Sequence, residues 1–362
     1  MLYWLLVPLR SGFFLFNVFR YITVRTAAAG LTALALSFLL GPWLIRLLAR
    51  RQIGQEIRAD GPKAHYAKKG TPSMGGLLVI VCTLVPTLLW GNLANVYVWV
   101  AILSMILFGL VGLIDDVLKV RRKQSLGLRP GQKMILQVIL AAAVGLVFIW
   151  MGSRGQFSLN LSFPFLKQWA PVLGWLYLPW IMFILVGSSN AVNLADGLDG
   201  LAIGLTLISA AALTALTYVA GHALWSQYLN IARVPLAAEL TVFVGAFAGA
   251  CLGFLWFNCH PAQIFMGDVG ALSLGATMAV IALLIKQEFL LFTVAGVFIL
   301  EALSVLLQVS YFKLSKGKRI FKMAPLHHHF ELSGWPESRV VVRFWILGII
   351  FALFSLATLK LR

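Results

Sequence analysis

Apolar runs long enough to cross a bilayer recur along the whole chain, and they restrict what it can fold into more than any other feature. Each crossing needs about 20 residues of helix. Ten runs qualify: Ile22 to Leu48, Met74 to Trp90, Val96 to Ile114, Met134 to Met151, Val172 to Val186, Leu201 to Ala220, Leu240 to Phe257, Ala271 to Ile285, Phe289 to Val309 and Phe344 to Leu359. The expected fold is an all-α integral membrane protein of about ten transmembrane helices. With 60% hydrophobic residues, 11% charged residues and a mean hydropathy of +0.91, the chain lies outside the range of soluble globular domains. No internal repeat or low-complexity linker divides it, so residues 1–362 read as a single membrane domain. The opening MLYWLLVPLRSGFFLF is interrupted by Arg10 and Gly12 and lacks a small-residue cleavage site, which favours an interfacial segment over a removed signal peptide.

A net charge of +17 raises the question of nucleic acid, and the placement of the cations answers it. Loops from Arg46 to Lys69, Lys119 to Lys133 and Lys313 to Arg343 hold 20 of the 29 Lys and Arg. With ten crossings all three lie on one side, which the positive-inside rule makes cytoplasmic, and both termini face outward. Topology and anionic lipid headgroups account for the basicity, so no nucleic-acid partner is expected. Cys82, Cys251 and Cys259 show neither disulfide nor metal-knuckle spacing and read as packing residues. On the outer side, RGQFSLNLSFPF alternates apolar and polar residues and predicts a short strand or hairpin, and Gly221 to Ala238 predicts a surface helix.

The rare residues converge on the basic side. Of six aspartates, Asp115, Asp116, Asp196, Asp199 and Asp268 all lie at helix ends or in the loops NAVNLADGLDG and FMGDVG. Carboxylates at a membrane edge are expensive when desolvated and point to an ion or substrate site, although some could balance neighbouring Lys and Arg. Asp115 and Asp116 project about 100° apart on a helix and should have different jobs. Magnesium takes one or two protein carboxylates and completes its shell with water and phosphate oxygens, which makes Asp268 a ligand candidate; it is equally placed to cap the following helix. His327, His328 and His329 are half of the chain's histidines. No cysteine or carboxylate stands at zinc-finger spacing from them, so hydrogen bonding to phosphate is favoured over zinc ligation.

Taken in order, KKGTPSMGG (Lys68 to Gly76), the Asp115–Asp116 pair, NAVNLADGLDG, FMGDVG and PLHHHFE resemble the polyprenyl-phosphate N-acetylhexosamine-1-phosphate transferases over essentially the whole chain. The triple histidine followed by GWPE and RFW resembles the branch that takes UDP-N-acetylmuramoyl-pentapeptide. The resemblance implies a bacterial inner-membrane enzyme of peptidoglycan biosynthesis. Its reaction would pass the phospho-sugar to undecaprenyl phosphate at the cytoplasmic face, giving lipid I and UMP, with Mg2+ as cofactor, membrane lipid around it and a homodimer as the assembly. Carried over by residue, it makes Asp115, Asp116, Asp268, His327 and His328 catalytic, with Asp268 the metal ligand. It lines the nucleotide pocket with Lys68, Asn193, Asp196, Asp199, Asn258, Phe265 and Gln308, where Phe265 stacks on uracil and Asp196 reads its edge. Ser73, Ala195 and the NCHPA around Cys259 depart from the commoner family pattern.

Phosphoryl transfer needs an in-line oxygen nucleophile and charge neutralisation across the pyrophosphate. Lys119 and Lys123 are candidate pyrophosphate contacts, His329 a further substrate contact, and Asp115 the group that orients or deprotonates the acceptor phosphate. The ninth run, with Gly296 and the intramembrane Glu301, is the expected wall of a groove for the isoprenoid tail. Two alternatives remain at this level: an enzyme of the same fold taking UDP-N-acetylglucosamine, and a secondary transporter. A transporter places its charges near the midplane, whereas these crowd one face.

Overall fold

The computed structural model describes residues 2–6, 8, 14–51, 70–122, 124, 127–164 and 169–360. Among these residues, nine helices are long and apolar enough to cross a membrane, and a shorter apolar helix stands with them. In lipid every backbone amide must find its partner inside its own segment, and long apolar runs satisfy this as helices.

In chain order, α1 (Leu2–Leu6) and a 3-10 turn (Phe14–Arg20) precede α2 (Ile22–Arg50), α3 (Gly76–Trp90), α4 (Val96–Arg122), α5 (Pro130–Ser153) and α6 (Tyr177–Ala195). They are followed by α7 (Leu201–Gly221), α8 (Ala223–Leu229), α9 (Ala237–Asn258), α10 (Gly267–Leu284), α11 (Glu288–Val294), α12 (Gly296–Leu314), α13 (Leu326–Glu331) and α14 (Glu337–Thr358). The ten expected runs correspond to α2 to α7, α9, α10, the α11–α12 pair and α14.

The bundle is organised around α10, in which every residue from Val269 to Leu284 is buried. It packs against α4, α6, α3 and α7, while α2, α5, α12 and α14 present apolar side chains such as Leu31, Ile139, Leu306 and Ile350 outward, as lipid-facing helices must. Close approach to the first turn of α10 depends on Gly112 in α4: a Cβ there would overlap the Asp268 carbonyl.

Three expectations are refined. The ninth run is two helices, broken at Ala295, which ends α11 and begins α12. Gly296 opens α12 there and packs closely on the Phe351 ring of α14. Among the described residues the expected hairpin is one antiparallel bridge, Asn160 to Val172, flanked by the bonds Leu161 N–H to Pro171 O (3.0 Å) and Leu173 N–H to Leu159 O (3.2 Å). The surface helix also contracts to α8, which Asn230 ends with a left-handed backbone at φ 51°. At this end of the bundle Arg25 is buried and makes a bidentate ion pair with Glu239, at 2.6 and 2.7 Å, tying α2 to α9.

Candidate active site

At the opposite, basic end, the ends of α4, α5, α6 and α10 converge. Asp115 and Asp116 lie in the last turns of α4, and Asp268 is the second residue of α10. One oxygen from each of the three carboxylates falls within 4.8 Å of the others. Between them sits the Lys119 ammonium, 2.7 Å from Asp115 Oδ2, 3.3 Å from Asp116 Oδ1 and 2.6 Å from Asp268 Oδ2. An ammonium held by three carboxylates occupies the place of a cation.

Each carboxylate also has a separate anchor. Asp115 Oδ1 accepts from Leu128 N–H at 2.7 Å, which folds the α4–α5 loop back onto the cluster. Asp116 Oδ2 accepts from Val269 N–H at 3.1 Å and so satisfies an otherwise orphaned donor in the first turn of α10. Asp268 Oδ2 accepts from Lys133 Nζ at 2.8 Å. With its amide oriented to satisfy both neighbours, Asn193 donates to Asp268 Oδ1 at 2.9 Å and accepts from Lys133 Nζ at 2.9 Å. Below that, Asn190 Nδ2 donates to Gln137 Oε1 at 2.5 Å, so α5 and α6 are joined by two successive polar rungs.

The loop after α6 carries the next group. Burial, then the negative field of Asp268 and Asp116, pushes the Asp196 carboxyl up to about 8. A carboxyl raised this far can hold its proton near neutral pH, and a protonated one donates one hydrogen bond while accepting another, the pattern that a carbonyl beside an imide N–H requires. Asn258 accepts from Gly200 N–H at 3.1 Å and donates to Ile264 O at 2.8 Å, stitching the 196–200 and 258–266 loops together. Phe265 is fixed by its backbone, its N–H on Pro72 O and its carbonyl taking Gly75 N–H, both at 2.8 Å.

The histidine motif forms α13. His327 is fully buried: its Nδ1 lies 3.3 Å from Glu301 Oε1, and its Nε2 lies where a Cβ on Gly197 would have to go. Glu301, an intramembrane charge in the sequence, therefore sits behind the histidine motif. His328 Nδ1 is 2.8 Å from Glu331 Oε2, and His329 Nδ1 accepts from Lys322 N–H at 3.1 Å. Gln308 accepts from Ile320 and Phe321 N–H at 3.1 and 2.9 Å, so it anchors the loop that leads into α13.

This geometry can be set beside known proteins. Residues 98–286 match the model of glycosyl transferase family 4. The chain belongs to that family.

Its family segment contains Asp115, Asp116, Lys119, Lys133, Asn193, Asp196, Asp199 and Asp268, and so spans the entire cluster. The chain is also similar over its full length to proteins named phospho-N-acetylmuramoyl-pentapeptide-transferase. It is 52% identical to that of Koribacter versatilis and 52% identical to that of Thermodesulfovibrio yellowstonii, each match covering all of both chains. It is 53% identical to that of Solibacter usitatus over 96% of each chain. The resemblance read from the five motifs is borne out.

Of the residues singled out from sequence, Asp115, Asp116, Asp268, Lys119 and Asn193 meet in one cluster. Asp199 and Asn258 meet in the adjoining loops, and Gln308 and His329 anchor the segment before and within α13. Lys68 and Lys123 lie outside the described residues. Sequence missed Lys133, one of several cations in a basic loop, and Glu301 as the partner of His327. Their only sequence signals were charge four residues into a helix and charge inside a span.

Proposed function

We propose that this chain transfers phospho-N-acetylmuramoyl-pentapeptide from UDP-N-acetylmuramoyl-pentapeptide to undecaprenyl phosphate, forming lipid I and UMP in peptidoglycan biosynthesis, with Mg2+ as cofactor. One observation carries the reading: a chain similar over its full length to transferases of that name gathers three carboxylates and two lysines at one end of its bundle. The positive loops at that end support a cytoplasmic-face site in the bacterial inner membrane, where a soluble donor and a lipid-anchored acceptor can meet. A homodimer is the assembly the family resemblance supports.

The donor set suits Mg2+, because oxygen ligands alone converge and the most accessible of them, Asp268, is held by lysines that can exchange for another cation. When bound, Mg2+ would offset the pyrophosphate charge and ease departure of UMP. Lys119 and Lys133 supply fixed positive charge to the same oxygens. Asp115 has both oxygens engaged, by Leu128 N–H and Lys119, and a phosphate monoester with a second pKa of about 6 is already largely ionised at neutral pH. Orienting the acceptor phosphate is thus the role that fits Asp115 better than removing its proton. Protonated Asp196 presents a donor and an acceptor to uracil, Phe265 offers a ring to stack on it, and Asn258 and Asp199 hold the floor of the pocket. His328 and His329, held at Nδ1 by Glu331 and Lys322 N–H, are the α13 side chains assigned to the phosphates, and His327 seats that helix on Gly197.

The test is UMP release and lipid-linked product formation by the purified protein with undecaprenyl phosphate and Mg2+, offered UDP-N-acetylmuramoyl-pentapeptide and UDP-N-acetylglucosamine in parallel. Turnover with the muramoyl donor alone, abolished by chelation, is expected. Turnover with the glucosamine donor alone would move the chain to the other branch, and turnover surviving chelation would remove the metal.

A further inference from the structure

Asp199 is held from three directions. Its N–H donates to Glu337 Oε1 at 2.8 Å, on the first residue of α14. Its Oδ2 accepts from Ala262 N–H at 3.1 Å and lies 3.2 Å from His260 Nδ1. His260 Nδ1 is also 3.6 Å from Glu337 Oε2, so one imidazole nitrogen faces both carboxylates. The Asp199 side chain is only 3% exposed, whereas that of His260 is 45% exposed. A carboxylate this buried cannot rotate without surrendering bonds that replace its hydration, so its direction is set by the groups around it. Neither Glu337 nor His260 was among the residues that sequence placed at the site.

We propose that His260 and Glu337 are positioning residues for donor binding: acting through Asp199, they hold the 196–200 loop in the orientation that receives the nucleotide. This inference rests on the donor reading given above. Neither residue touches a reacting atom. The loop they clamp carries Asp196, Gly197 against His327, and Gly200 bonded to Asn258. A rotation at Asp199 is therefore passed to residues of the nucleotide pocket. Asp115, Asp116 and Asp268 are anchored by Leu128, Val269, Lys119 and Lys133, and none of those bonds is shared with the clamp. The consequence is a defect in donor affinity with the chemical step preserved.

The test uses the full-length protein in detergent and three readouts: UMP binding by titration calorimetry, kcat and KM for donor and acceptor, and the melting temperature. His260→Phe and Glu337→Ala are each expected to weaken UMP binding and raise the donor KM about tenfold, equivalent to ~1.4 kcal/mol for one hydrogen bond to a charged group. The kcat and acceptor KM should stay within about twofold. Glu337→Gln keeps an oxygen for Asp199 N–H and should recover most of the affinity. Unchanged UMP affinity and donor KM in both variants, with wild-type binding intact, would overturn the positioning role, as would a fall in kcat at constant KM. If Glu337→Ala fails to fold, His260→Phe, at a half-exposed position, decides the matter. Wild-type protein that binds no UMP would refute the donor reading itself, and the positioning role would fall with it.

Discussion

Replacing Lys119 by methionine should separate two effects that the cluster combines. The Lys119 ammonium lies within 3.3 Å of all three carboxylates, and of the three Lys133 reaches Asp268. Three carboxylates and two ammoniums leave a net charge of about −1, and Lys119→Met makes it about −2 while keeping the length of the side chain. A divalent cation entering the wild-type cluster is repelled by that ammonium. At a separation of ~4 Å the repulsion is roughly 8 kcal/mol at an effective dielectric of about 20 and roughly 2 kcal/mol in bulk water. Lys119 is 30% exposed and can swing toward solvent as the ion enters, so the bulk-water figure sets the floor, at least about tenfold in affinity.

Metal binding should therefore tighten about tenfold or more in Lys119→Met, although turnover falls. Loss of a cationic donor to the phosphate oxygens should lower kcat by about a hundredfold or more. The assay for the first effect is titration of the protein with Mn2+ without substrates, following free Mn2+ by electron paramagnetic resonance; for the second it is UMP release at saturating Mg2+. Asp268→Asn, which removes a ligand, should weaken Mn2+ binding. A Lys119→Met protein with unchanged or weaker Mn2+ affinity would refute the reasoning, because it would mean that the ammonium does not stand where the cation goes.

Other expectations follow from the same geometry. UMP affinity should fall as the pH rises through about 8, where Asp196 loses its proton, and should be flat across that range in Asp196→Asn, as calorimetry at several pH values would show. Since the folded pKa is raised, the stability contributed by that proton is complete below about pH 4 and lost as the pH passes about 8, a trend that melting curves with and without the Asn substitution would show. Gly112→Ala drives a methyl group into the Asp268 carbonyl and should cost about 1–3 kcal/mol in unfolding experiments and most of the activity. Glu301→Ala leaves the buried His327 without its carboxylate and should lower the melting temperature and activity together, with Glu301→Gln milder in both.

The ten apolar helical runs were legible because continuous apolarity over some twenty residues has one solution in lipid. The five site aspartates were legible because acid is scarce in this chain, so its gathering beside glycines stood out. Partnership was not legible. Lys133 looks like any cation of a basic loop until α5 is docked on α6 and its ammonium meets Asp268 and Asn193. Glu301 was visible as an intramembrane charge, but its partner lies 26 residues further on, across the loop that Gln308 anchors. The break at Ala295 left one trace, the Gly296 that follows it in an otherwise continuous apolar run. The shrinkage of α8 follows from Asn230, which accepts a left-handed backbone that most residues resist.

Both ends of α10 face the same physical problem, since the helix is surrounded on every side and neither terminus can reach solvent laterally. Each end is finished with an ionic cluster. Beyond its C-terminus, Lys286 donates to Glu288 Oε1 at 2.8 Å and to Tyr177 Oη at 2.6 Å, and the Tyr177 hydroxyl in turn donates to Glu288. Lys286 and Glu288 are both buried, and Lys286 lies 4.7 Å from the Phe157 ring centre and 4.3 Å from that of Tyr177. Burial pulls the Lys286 ammonium below the usual lysine range, with Glu288 acting against that shift. One cation there serves one carboxylate beside the Phe157 and Tyr177 rings, an arrangement that terminates a helix with its charges matched. At the N-terminus three carboxylates share two lysines, Lys119 remains partly exposed, and the charges do not balance. An excess of carboxylate at a helix N-terminus is tolerated by the helix dipole and by Asp116 capping Val269. That excess of negative charge is what would attract a divalent cation under the proposed function, so the same helix carries a paired ion at one end and an unbalanced cluster at the other.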